Sequence, residues 1–170
     1  MTAPKKIILL GPMGAGKSTL GKILSSQLNW PYIDNDLDMA KQTGMSIAEL
    51  SSLSVAELHK FEAEFINNVL TMDAPFISGA AASVIENLQI RNELKNVCAI
   101  YLSIPVETAI ERASVGSVGR QALTEEGIEI LRERYKRRDP LYREVAALVL
   151  DLSNSPTADA EKILNFLNQG

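Results

Sequence analysis

A chain of 170 residues has room for one domain with a sizeable core and too little for two ordinary ones. Its composition, 46% hydrophobic and 22% charged with 10 glycines and 7 prolines, excludes disordered, collagenous and disulfide-scaffold classes. A net charge of −4 argues against a nucleic-acid binder, and the single cysteine, Cys98, excludes an intramolecular disulfide and fits a reducing compartment.

Met1 to Lys6 leads directly into an apolar run, Lys5 to Leu10, bounded by glycine and predicted as a buried first strand. That start leaves no room for a removable leader, and no apolar run approaches the roughly 20 residues that span a bilayer. The expectation is a cytoplasmic protein with no membrane partner. Leu20, Ile23, Leu24 and Leu28 form a helical stripe after Lys17. Pro31-Tyr32-Ile33 reads as a second short strand ending in Asp34-Asn35-Asp36. Ser46-Ile47-Ala48-Glu49 and Ser54-Val55-Ala56-Glu57 both have capping-box form, and Leu58, Phe61, Phe65 and Val69 continue the second as a helix.

Pro75 to Ser78 is predicted as a third strand, Val97 to Leu102 as a fourth and Ala147 to Leu150 as a fifth. Helices are predicted at roughly 83–93, 106–113, 124–137 and 157–168. Strands alternating with helices predict one α/β domain over 1–170, a parallel sheet covered on both faces. The glycine-bearing stretch Ser114 to Gly119 is the flexible patch in this pattern. Arg132, Arg134, Lys136, Arg137 and Arg138 crowd one helix and read as a solvated face. Cys98 in its apolar run, His59 beside the Leu58–Phe61 stripe and the five methionines read as structural.

The chemistry begins at Gly11-Pro12-Met13-Gly14-Ala15-Gly16-Lys17-Ser18. This Gly-x-x-x-x-Gly-Lys-Ser run lies between a predicted strand and a predicted helix, the context a phosphate-binding loop requires. Glycines let backbone N–H groups wrap around phosphate oxygens, and the helix adds its positive N-terminal end. Lys17 is placed for the β- and γ-phosphates of ATP and Ser18 for a Mg²⁺ ion. Gly11, Gly14, Ala15, Gly16, Lys17, Ser18 and Thr19 are therefore the candidate ATP-binding residues. The missing guanine-reading element and the short length favour a small-metabolite kinase over a GTPase or motor.

With Tyr32-Ile33-Asp34-Asn35-Asp36, Thr43 to Glu49, and Arg138-Asp139-Pro140-Leu141-Tyr142, the loop resembles the shikimate kinase family over nearly the whole chain. The resemblance implies a five-stranded parallel sheet of the P-loop, nucleoside-monophosphate-kinase-like type, with an acceptor-binding segment at about 36–70 and a lid at about 114–123. It implies Asp34 with Ser18 at the Mg²⁺, Asp36 at the attacking hydroxyl, Arg112 on the nucleotide side, and Arg120 as a lid arginine that also touches ATP. Lys17, Asp36 and Arg120 are the implied catalytic residues. Arg138 is the implied grip on the acceptor's carboxylate, since a guanidinium binds carboxylate bidentately. The implied partners are ATP and a small anionic metabolite with a hydroxyl, shikimate first, and the implied state is a monomer.

Three positions depart from the family pattern. His59-Lys60 stands where Phe-Arg is usual, making Lys60 the expected substitute for the arginine. Gly79-Ala80-Ala81 replaces a triple glycine, keeping a backbone N–H for the acceptor but adding two methyl groups. The lid reads Arg120-Gln121-Ala122 in place of Arg-Pro-Leu. Another acceptor, as in gluconate kinase or nucleotide kinases, and a regulator that binds nucleotide without transfer are the competing expectations.

Overall fold

The computed structural model describes residues 4–115 and 124–170. In chain order the elements are β1 (Lys6–Leu10), α1 (Lys17–Leu28), β2 (Tyr32–Ile33), α2 (Asn35–Thr43), α3 (Ile47–Ser52), α4 (Val55–Thr71), β3 (Phe76–Gly79), a 3₁₀ turn (Ala82–Glu86), α5 (Leu88–Leu94), β4 (Cys98–Ser103), α6 (Val106–Val115), α7 (Glu125–Val145), β5 (Leu148–Asp151) and α8 (Pro156–Asn168). The five strands form one sheet in the order β2-β3-β1-β4-β5, and every pairing is parallel. The expected parallel α/β sheet is present.

Side chains alternate across a strand, and β1 shows the consequence. Ile8 and Leu10 enter one core with Phe65, Ile66, Ile85 and Tyr142. Ile7 and Leu9 enter the other with Leu20, Leu24, Ile100 and Ile163. Because β1 is central and covered on both faces, its carboxyl end opens into the gap between layers. That end is where the phosphate-binding loop begins.

Both capping boxes form: Ser46 and Glu49 close the start of α3, and Ser54 and Glu57 that of α4. These hydrogen bonds hold the Glu49 and Glu57 carboxyls below their ordinary range. The expected helix at 83–93 is instead the 3₁₀ turn and α5, separated at Asn87, whose Oδ1 accepts from Ile90 N and restarts the chain as a helix.

The expected helix end at residue 137 is also displaced, because α7 continues through Pro140 to Val145. A proline inside a helix removes one hydrogen bond. Side chains on either side of it hold α7 to the body of the protein, through Arg138 to Glu86 and Tyr142 Oη to the Ala82 carbonyl at 2.8 Å. Cys98 is buried in β4 with its thiol pushed up to about 11 by desolvation, which makes it an inert core residue.

Gly21 is where α1 meets β2. A Cβ added there would lie 2.1 Å from the Tyr32 ring. Gly21→Val is expected to lower stability by about 1–3 kcal/mol through overpacking, measured as a lower urea midpoint at unchanged m-value.

Candidate active site

Gly11, Gly14 and Gly16 carry φ values of 149°, 79° and 93°, and for the last two this is the left-handed region that glycine enters without penalty. At Gly11 space decides as well, since a Cβ would meet the Leu102 carbonyl at 2.8 Å. The loop thereby curls around Lys17, whose Nζ donates to the carbonyls of Gly11 at 2.7 Å and Pro12 at 3.1 Å. Burial pushes the Lys17 ammonium down to about 8, and the nearby Arg138 acts the same way, against the attraction of Asp36 and Glu62. Ala15 is buried with its N–H on the Pro12 carbonyl at 3.1 Å, so it shapes the loop from below.

Asp34 joins the loop to α2. Its Oδ1 accepts from the N–H groups of Asp36 and Leu37, both at 3.0 Å, and its Oδ2 accepts from Ser18 Oγ at 3.1 Å. Asp34 is thus the N-cap of α2. Asp36 has no capping duty; it is exposed in the first turn, and Asn35 Nδ2 donates to its Oδ1 at 3.1 Å.

A cavity of about 420 Å³ runs from the loop along α2 and α4. At one end are Gly14, Gly16, Lys17, Ser18 and Thr19. Asp34, Asn35 and Asp36 form its side, and Leu50, Leu58, Glu62 and Ala80–Ala82 its far wall. Gly79 keeps the floor open, because a Cβ there would lie 3.1 Å from Tyr32 Oη and 3.6 Å from Lys17 Cβ. Phosphate-binding residues, carboxylates and an apolar wall gathered in one cavity suit transfer of a phosphoryl group to a bound acceptor.

The decisive comparison is with known families: the shikimate kinase family model matches residues 13–168. The chain belongs to the shikimate kinase family. The shikimate kinase of Pseudoalteromonas translucida (strain TAC 125) is 31% identical over 152 residues, covering 88% of each chain. That of Thioalkalivibrio sulfidiphilus (strain HL-EbGR7) is 32% identical, covering 89% of this chain and 80% of the relative. Among solved structures, the shikimate kinase from Acinetobacter baumannii in complex with shikimate superposes with a TM-score of 0.85 at 29% identity, covering 99% of this chain and 94% of that one. A gluconokinase from Sinorhizobium meliloti 1021, at 15% identity and TM-score 0.65, shares the fold.

Within this family frame, the residues expected from sequence fall into three groups. Lys17, Ser18, Thr19, Asp34, Asp36, Gly79 and Ala80 line the cavity. Arg112 stands beside the loop, its Nη1 donating to the Gly14 carbonyl at 3.0 Å. Arg138 is buried behind the far wall, bound to Glu86 through Nε at 3.0 Å and Nη2 at 2.9 Å. Arg137 also reaches Glu86, so it is more than a solvated neighbour.

Ala80 lines the cavity, with its N–H donated to the Leu9 carbonyl at 3.0 Å. One expectation is corrected. Lys60 is exposed on the far face of α4, because Leu58 and Glu62, one helical turn apart, are the residues that face the cavity. Lys60→Ala is expected to change the acceptor KM less than about twofold, as surface charges contribute little. The lid expectation at 114–123 meets α6 as far as Val115, while Arg120, Gln121 and Ala122 lie outside the described residues.

Sequence reasoning missed Glu62 and Ser83. Glu62 accepts from Ser83 Oγ across 21 residues of sequence, and desolvation raises its carboxyl above the ordinary value despite that hydrogen bond. The Leu58–Phe61–Phe65 stripe carried the signal for Glu62, since a residue one turn after Leu58 shares its face.

Proposed function

We propose that this chain transfers the γ-phosphoryl group of ATP to the 3-hydroxyl of shikimate, a step of aromatic amino-acid biosynthesis. The observation that carries the reading is the juxtaposition of Lys17 and Ser18 with Asp36 in one cavity, in a chain of this family. The Acinetobacter baumannii relative was solved with shikimate bound, which supports the same acceptor here.

In this reading the loop from Gly11 to Thr19 cradles the triphosphate, and Lys17 neutralises the β- and γ-oxygens. Arg112 flanks the nucleotide. Asp36 orients the acceptor hydroxyl and takes its proton as the oxygen–phosphorus bond forms and the γ-to-β bridge breaks, with ADP leaving. Ser18 Oγ and Asp34 Oδ2, 3.1 Å apart, are the hard oxygen donors that suit Mg²⁺, which prefers one or two protein oxygens plus phosphate and water. Bound there, such an ion would supply positive charge to the phosphates during transfer. Arg138, paired with Glu86, is assigned to the acceptor's carboxylate, and Arg120 to the transferring phosphate. The protein acts in the cytoplasm as a monomer.

The test is a coupled ADP-release assay with Mg·ATP and, in parallel, shikimate, gluconate, deoxyadenosine or no acceptor. Stimulation by shikimate alone is the expected result. Turnover with gluconate or deoxyadenosine and none with shikimate would assign the cavity to a different acceptor. Nucleotide binding with no acceptor-dependent turnover would make the chain a regulator.

A further inference from the structure

Between Asp34 and Asp36 stands Asn35, the first residue of α2, and all three line the cavity. The two ends of the Asn35 amide have different surroundings. Nδ2 donates to Asp36 Oδ1 at 3.1 Å. Oδ1 is buried and has no hydrogen-bond partner among the described residues. Ser18 and Ser51 also line the cavity, but their hydroxyl protons go to Asp34 Oδ2 and to the Ile47 carbonyl. A buried carbonyl without a donor lowers stability, and native proteins satisfy nearly all such groups. Turning the amide over would set a carbonyl oxygen against the Asp36 carboxylate, two acceptors with no proton between them. The helix makes no use of this side chain either. Asp34 already caps α2, and Met39, one turn along on the same side, supplies the buried apolar contact.

We propose that Asn35 is a positioning residue for Asp36, present at a cost in stability because its amide N–H holds the carboxylate for proton transfer. Departures from local folding rules are expected at functional sites, and this one lies one residue from the group assigned to take the acceptor's proton. Holding Oδ1 restricts rotation of the carboxylate and leaves Oδ2 for the acceptor hydroxyl. A base works only within hydrogen-bond reach of the proton it removes, so an Asp36 free to turn spends less time in the reactive geometry. This inference rests on Asp36 being the proton acceptor in the proposed transfer to shikimate.

The test is a double-mutant cycle, with steady-state kinetics and thermal melting on Asn35→Leu, Asp36→Asn and the two combined. Asn35→Leu keeps a branched side chain and removes both polar ends. Its kcat is expected to fall about tenfold, the scale of a lost hydrogen bond to a charged group. Its KM for ATP and for shikimate should change less than about twofold, since ground-state binding is untouched. Its melting temperature is expected to equal or exceed that of the unaltered protein, because the unpaired carbonyl is gone. In the Asp36→Asn background the same substitution is expected to change kcat by less than about twofold. Asn35→Asp is isosteric and suits a helix N-terminus, so it makes the same test if leucine unsettles the fold. With a carboxylate facing Asp36, its kcat should fall about tenfold or more. An unchanged kcat in both Asn35 variants, or the same loss with and without Asp36, would overturn the positioning role. Full kcat in Asp36→Asn would instead overturn the assignment of Asp36 beneath it.

Discussion

Lys17→Ala is expected to reduce kcat by about a thousandfold or more, the scale seen when a preorganised charge on a transferring phosphoryl group is removed. The loop holds one ammonium group against two carbonyls, and in the proposed reading that group meets the β- and γ-phosphates. Nothing else on the loop supplies a full positive charge at that point. The fold should not suffer. Burial draws the Lys17 ammonium from an ordinary 10.5 to about 8, so the charged form is the one the folded state disfavours. Between those values the unfolded chain holds the proton and the folded chain does not, and stability must rise with pH across the interval. Lys17→Ala is expected to melt no lower than the unaltered protein at pH 7 and to lack that rise. A melting series from pH 7 to pH 10, run beside the kinetic assay, checks both. Large loss of activity together with loss of fold would remove Lys17 from its assigned role.

The second large effect is expected at Asp36. Asp36→Asn keeps the shape and removes the proton acceptor, and kcat should fall by about a hundredfold to ten-thousandfold. The ATP KM should change little, because the capping of α2 and the link to Ser18 both belong to Asp34. Had Asp36 been the helix cap, the same substitution would mainly have destabilised α2. Its exposed side chain, which accepts from Asn35 Nδ2 and caps no helix among the described residues, separates the two roles. Comparable melting temperatures with a large drop in kcat is the expected pair of results. An unchanged kcat would transfer the proton-accepting role elsewhere.

The parts legible in sequence were those encoded locally. The loop from Gly11 to Ser18 works through backbone conformation and one lysine, and both are written in eight consecutive residues. The capping boxes at Ser46 and Ser54 are likewise four-residue signals, and both appear with their reciprocal hydrogen bonds. The unbroken apolar run of β1 announced a strand buried on both faces.

What sequence could not supply was set by distant partners or by helical phase. The helix expected to end at residue 137 runs on through Pro140, held by the fixings of Arg138 to Glu86 and Tyr142 to Ala82, which span more than 50 residues. The pairing of the Ala80 N–H with the Leu9 carbonyl depends on sheet order, which no local pattern encodes. Lys60 was chosen by aligning one residue at a time. On a helix, two positions turn a side chain by about 200°, and Glu62 occupies the cavity face instead. Of the departures from the family pattern, Ala80 and Ala81 line the cavity, beside Leu58 and Glu62.

The most direct measurement is ³¹P nuclear magnetic resonance of the unaltered protein incubated with Mg·ATP and shikimate. The expected spectrum shows ATP lost, ADP gained, and a phosphomonoester resonance coupled to the proton at carbon 3 of the shikimate ring. ADP accompanied only by inorganic phosphate, or no change in ATP at all, would contradict transfer to shikimate.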